Sequence, residues 1–200
     1  LACPPSALLC AKVGDTTSEF AMQGTDAHSL CEHKLKKSFG QKSKDPTEDL
    51  QYFDEEMADC SDMYAQYVME QLTAAKEKCK DPIVLIEQHL DFSKWVPQGF
   101  GTGDCVIVAD ETLQVIDFKY GVGILVDAEK NPQMMCYALG ALQLFEGIYD
   151  IDSVSMTIFQ PRRDNVSTYT ISKAELLKWA DEVLAPTAQL AAKGEGEYKA

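Results

Sequence analysis

Asp104, Asp117 and Lys119 are the residues of this 200-residue chain whose types and spacing most readily support chemistry. In Gln114-Val115-Ile116-Asp117-Phe118-Lys119 the polar Asp117 and Lys119 alternate with the apolar Ile116 and Phe118. On a strand, Asp117 and Lys119 therefore project from one face and Ile116 and Phe118 from the other. Asp104 opens a neighbouring Val/Ile-rich run, Cys105–Ala109, and Ala109-Asp110-Glu111-Thr112 has the length of a hairpin turn. Such a hairpin brings Asp104 to the same end of the sheet as Asp117. Two carboxylates and an ammonium gathered at a strand end make an oxygen-ligand site for Mg2+ or Mn2+, with a cation left to orient water. That is equipment for phosphodiester hydrolysis. A solvated strand face carries the same alternation, so spacing alone leaves both readings open.

The elements that must position these residues follow from hydrophobic periodicity. Thr16 or Thr17 is an N-cap candidate for a helix with an apolar face of Phe20, Ala27, Cys31 and Leu35. Pro46-Thr47-Glu48 is expected to open a second helix, with Leu50, Phe53, Met57, Cys60, Tyr64 and Tyr67 inward. Asp54, Glu55, Glu56, Asp59 and Asp62 lie on its other face, which reads as a solvated surface. After Asp81-Pro82 the pattern becomes extended over Ile83–Phe92, Cys105–Ala109 and Leu113–Phe118. Asn131-Pro132 caps a helix containing Met134, Ala138, Leu139 and Leu142. Strands Ser153–Gln160 and Ser167–Ile171 flank Pro161-Arg162-Arg163-Asp164-Asn165, and the capping box Ser172-x-x-Glu175 opens a last helix to about Ala192. The expected fold class is α/β, a mixed central sheet flanked by helices with an N-terminal helical part. One domain is expected, with a helical part over 1–80, an α/β catalytic core over 81–192 and a tail over 193–200.

Composition narrows the function classes. A 46% hydrophobic, 25% charged chain can build a core, and the longest apolar runs fall far short of the roughly 20 residues of a membrane helix. The opening LACPPSALLC lacks a basic region and an initiating Met, so it reads as a trimmed start and not as a signal peptide. Cys3, Cys10, Cys31, Cys60, Cys79, Cys105 and Cys136 are scattered singly, which argues for reduced thiols in a cytosol. The net charge of −14 opposes generic nucleic-acid affinity. Phosphate contact would have to come from bound cations and from local patches, here Lys34 to Lys44 and the adjacent Arg162 and Arg163.

Several separated pieces together resemble a known family. Gly24-Thr25-Asp26-Ala27-His28-Ser29-Leu30-Cys31-Glu32, then Glu87, Gly103-Asp104, Asp117-Phe118-Lys119 and Gln133-x-x-x-Tyr137 are similar, in order, to the PD-(D/E)XK nuclease superfamily and its RecB-like branch of phage exonucleases and CRISPR-associated nucleases. The resemblance implies a restriction-endonuclease-like core in which His28, Asp104, Asp117 and the Phe118 carbonyl ligate the metal, and Lys119 orients water and stabilises developing charge. It also implies a catalytic role for Glu87, as ligand of a second metal or anchor of a water, and gives Gln133 and Tyr137 substrate contact or support of the lysine. His33 and His89 match no family position and are expected to be structural, with His89 on the strand face of Glu87.

Cys3-Pro4 resembles the family's first iron–sulfur ligand, but no cysteine follows Cys136. An iron–sulfur cluster therefore cannot be completed by these 200 residues; either the protein lacks it or further cysteines lie beyond the glycine-rich tail. The expectation is a metal-dependent deoxyribonuclease, an exonuclease of phage recombination or DNA processing in the cytoplasm of a bacterial or phage-infected cell. DNA is its substrate, a phage recombination or single-strand-binding protein its partner, and no membrane is involved. The alternative is an inactive nuclease-fold binding module whose acidic surface, the second helix included, docks a protein or mimics DNA. The oligomeric state is left open.

Overall fold

The computed structural model describes residues 3–6 and 18–198. Helix α1 spans Glu19–Ser38 and is capped by Ser18, whose side chain accepts from the Ala21 amide; Thr16 and Thr17 lie outside the described residues. Its buried face runs through Ala27, Leu30, Cys31 and Leu35, whereas Phe20 is 79% exposed and does not belong to it. Helix α2 spans Glu55–Lys76 and starts later than the Pro46-Thr47-Glu48 signal suggests. There, Asp45 folds back to accept from the Thr47 amide and makes a turn, while Asp54 accepts from the Met57 amide at 2.7 Å and supplies the true cap.

The sheet has five strands: β1 (Ile83–Asp91), β2 (Phe100–Ala109), β3 (Thr112–Phe118), β4 (Ser153–Gln160) and β5 (Asn165–Ser172), lying side by side in that order. Pairing is antiparallel except between β3 and β4, which are parallel and joined by a crossover through helix α3 (Pro132–Leu144). The architecture is thus a mixed sheet between helical layers. α1 and α2 cover one face, over Cys105, Ile107, Ile116 and Phe118. α3 covers the other, over Val106, Val108, Leu113, Val115 and Met156. Leu176, Ala180 and Leu184 join that second core from the C-terminal segment: helix α4 (Lys173–Trp179), a π turn (Ala180–Leu184) and helix α5 (Ala185–Lys193). The expected capping box is present, because Ser172 and Glu175 satisfy each other's backbone. The π turn interrupts what the sequence pattern reads as one continuous helix.

Close approach of α3 to β1 depends on Gly140. A Cβ there would lie 2.9 Å from Leu90 Cβ and 3.1 Å from its carbonyl carbon, so a side chain is excluded where helix meets backbone. Leu90 in turn fills the space over Gly103.

One irregularity in the sheet concerns the site directly. In β1, Val84 and Ile86 pack toward α1 and α2, but Leu90 packs toward α3. In β2, Cys105 and Ile107 face α1 and α2, while Gly101 and Gly103 face Tyr137 and Leu90 on the other side. Both strands therefore turn over between these positions, at the step where Glu87 stands opposite Asp104. Ile86 pairs with Cys105 and Gln88 with Gly103, leaving the intervening pair out of the ladder, and Glu87 adopts φ 50°. A non-glycine residue in that region costs of order 1–3 kcal/mol, and such outliers cluster at functional sites. Among the described residues, no helix is long and apolar enough to cross a membrane.

Candidate metal centre

The turnover in β1 and β2 places carboxylates in a row across three strands. Cys105 pairs with Ile116, so one step further Asp104 faces Asp117, as it faces Glu87 on the other side. Asp104 is fixed at both oxygens. Its Oδ2 accepts from the Phe118 amide at 2.6 Å, joining the strands beyond their last paired residues, and its Oδ1 lies 3.1 Å from His28 Nδ1. His28 arrives from α1 on the helical turn of Gly24 and Glu32, and its ring stands edge-on to Phe118, with centroids 5.5 Å apart. Gly24 meets nothing at its Cβ position, which keeps that wall of the cleft low.

His28, Glu87 and Asp104 each offer one ligand atom within 4.8 Å of the others, a set that could enclose one divalent ion. The sequence-based set had Asp117 in place of Glu87. Asp117 lines the same cleft of about 490 Å3 but stands outside the converging trio, engaged instead with Lys119. The reason is the left-handed backbone at Glu87, which aims its side chain at Asp104 and His28, a feature that motif spacing does not encode. The ring of Phe118 is fully buried in the α1/α2 core, and its amide holds Asp104.

Lys119 Nζ lies 2.9 Å from Asp117 Oδ2 and donates to Gln133 Oε1 at 3.1 Å, and Gln133 Nε2 donates to the Tyr137 hydroxyl at 2.9 Å. Residues one helical turn apart on α3 thus brace the lysine, the second of the roles expected for them. Tyr137 lies over Gly101, where any Cβ would collide with its ring. Asp117 Oδ2 is buried against the Lys119 ammonium, and a carboxylate so placed beside the trio adds negative charge that a cation would offset.

Electrostatics agree with this fit. Burial pushes the Glu87 carboxyl up to about 7, reinforced by the charge of Asp104. Burial likewise raises Asp117, with Asp104 adding to the effect and Lys119 opposing it. Burial alone would lower His28, but its hydrogen bond to Asp104 and the charges of Asp104, Asp117 and Glu87 raise it above the ordinary imidazole value. Crowded carboxylates that hold protons near neutrality are relieved by a divalent ion.

The expected phosphate-binding cations are mostly committed elsewhere. Lys34 pairs with Asp62 at 2.6 Å, Lys36 with Glu32 and Lys44 with Asp49. Arg162 is not at the cleft: it pairs with Glu56 at 2.9 Å and lies 4.6 Å over the Tyr120 ring, beside the α1/α2 core. Arg163 is exposed on the same short turn. The acidic face of α2 is thereby partly neutralised, through Glu56 and Asp62. His33 is buried and bonded to Ser43 away from the trio. His89 stacks on Phe100 instead of supporting Glu87, because the strand turns over between them. Cys31, Cys60, Cys79 and Cys105 are buried free thiols, and Cys10 lies outside the described residues. A larger hollow of about 920 Å3 lies at the opposite end of the strands, near Asp110, Gln114 and Ser155, and among the described residues no comparable ligand set converges there.

A mixed α/β domain with a His-Glu-Asp trio beside a braced lysine is the class of protein that fold and site define. Over residues 1–200 the chain matches, and belongs to, the family described as "Protein of unknown function (DUF2800)". A solved structure titled "Crystal structure of SSO0001" is similar at 12% identity over 89% of this chain and 91% of that one; its TM-score of 0.28 is too low to carry an argument.

Proposed function

We propose that this protein is a divalent-metal-dependent nuclease that hydrolyses phosphodiester bonds in DNA from strand ends. The observation that supports this reading is the convergence of His28, Glu87 and Asp104 in the cleft that also holds Lys119. The resemblance of the ordered motifs to RecB-like nucleases points the same way. His28, Glu87 and Asp104 would hold Mg2+ or Mn2+, whose charge polarises the phosphodiester and makes water a stronger nucleophile. Asp104 is set for this by the Phe118 amide, which leaves Oδ1 directed at the cleft. Lys119, held between Asp117 and Gln133, presents a fixed ammonium to the charge that develops on phosphate oxygens during attack. Asp117 and Gln133 act through the lysine as positioning residues. The buried thiols suit a reducing cytoplasm, and the resemblance suggests a phage-infected bacterial cell and a recombination partner.

The test uses end-labelled linear and closed circular DNA with Mg2+ or Mn2+, beside Asp104→Asn and Lys119→Met. The parent is expected to degrade the linear form, with both variants losing about a hundredfold or more in rate while keeping the parent's circular dichroism. Intact DNA under both ions, or variants as active as the parent, removes the proposal. The ion-paired lysines and net charge of −14 favour one other reading, an inactive module that docks a basic protein. Tight complex formation without any cleavage would select it.

A further inference from the structure

Resting on the nuclease reading, we infer that Phe100, backed by His89, is a stacking platform for a nucleobase of the single strand that enters the metal-centre cleft. Phe100 is a large aromatic side chain left 66% exposed on a strand end, where the hydrophobic effect favours burial. Its ring is already oriented. His89 from the neighbouring strand lies 5.3 Å away at an interplanar angle of 18°, a stacked pair that fixes the Phe100 plane before any ligand arrives.

Position connects this platform to the chemistry. Beyond the turnover, Gly101 and Gly103 face α3, so Phe100, Thr102 and Asp104 share the opposite face of β2. Asp104 belongs to the metal-binding trio and Thr102 lines the cleft. Phe100 continues the line about 13 Å from Asp104, at about 3.3 Å per residue, within a few nucleotides of a scissile phosphate. The wall opposite Thr102 is formed by Ala21, Gly24 and Thr25 of α1, small side chains that leave an open path.

Charge explains why such a platform is needed. Lys34, Lys36 and Lys44 are paired with carboxylates and Arg162 is held by Glu56, so phosphate contacts supply little affinity to a chain of net charge −14. Stacking on an aromatic face is insensitive to that deficit and tolerant of sequence, because every base has a π-face.

The experiment measures binding of the full chain to a fluorescein-labelled single-stranded oligonucleotide in Ca2+, and to the same strand carrying abasic residues in place of its bases. Phe100→Ala is expected to weaken binding of the base-bearing strand about tenfold, to leave the abasic strand unchanged, and to leave Mn2+ binding at the parent level. Phe100→Trp should restore affinity. An oligonucleotide with 2-aminopurine stepped along the strand should show quenching at one position in the parent and none in Phe100→Ala. If the parent cleaves DNA and Phe100→Ala binds both strands as the parent does, the stacking assignment falls and the nuclease reading stands. If the parent neither cleaves nor binds DNA, both fall.

Discussion

Glu87 faces Asp104 across the single step of the β1–β2 ladder where neither residue is paired, and it does so with a left-handed backbone at φ 50°. Backbone strain and carboxylate repulsion therefore coincide at one position, and both are tolerable if a cation is the usual occupant of the space between them.

Glu87→Gln keeps the shape of the side chain and removes its charge. In the presence of a chelator, the variant should melt a few degrees above the parent, about 2–4 °C for a domain of this size. Added Mn2+ should raise the melting temperature of the parent and leave that of the variant nearly unchanged, as a ligand is missing. Differential scanning calorimetry with and without Mn2+ checks both halves; a variant that gains as much from Mn2+ as the parent contradicts the ligand assignment.

The pH dependence of the metal-free protein has a definite sign. Glu87, Asp117 and His28 all hold protons more tightly when folded than when unfolded. A raised value contributes stability below the unfolded value and loses it as pH rises through the folded one. Carboxylates with lowered values, Asp45, Asp91, Asp127 and Glu175, act only at acidic pH. From pH about 4.5, the ordinary glutamate value, through neutrality, the chelated protein should lose stability, and Mg2+ should reverse the trend. Urea titrations across that range provide the measurement, and a midpoint that climbs steadily with pH in chelator would be inconsistent with the crowded site.

Gly101→Ala tests the brace on the lysine. The new methyl group must displace Tyr137, which holds Gln133, which holds Lys119. Overpacking of this kind costs about 1–3 kcal/mol, and a shift of the lysine by an ångström is enough to lower a rate about a hundredfold. Mn2+ affinity should be preserved, since none of the trio moves. Equal turnover by parent and variant would show that the Tyr137–Gln133 chain does not position Lys119.

The sequence was most informative where periodicity and capping act locally. The strand pattern leading to Asp117, the Asn131-Pro132 start of α3 and the Ser172/Glu175 capping box are all read from neighbouring residues, and all are present, although the strand ends at Phe118, one residue short of Lys119. The start of α2 departs from the pattern because a proline-led signal competes with a better cap at Asp54. The beginning of β2 is hidden because Phe100-Gly101-Thr102-Gly103 has the composition of a turn; its glycines are there to admit Tyr137 and Leu90, a tertiary demand. Glu87 is legible as a motif position, but its place among the converging ligands depends on a φ angle that no spacing predicts. Arg162 is hidden from sequence reading for a related reason: its partners, Glu56 and Tyr120, come from distant parts of the chain.

Gln160 gives the segment between Lys119 and α3 a character that its composition conceals. This buried amide donates to the carbonyls of Gly121 and Ile124 at 2.7 and 2.9 Å and accepts from the Val126 amide, while Asn165 donates to the Val126 carbonyl. One side chain thereby pins a glycine-containing stretch that displays Ile124 and Leu125 to solvent. A backbone tied down in this way has less freedom left to lose, so anything that docks on it meets a smaller entropic cost of association.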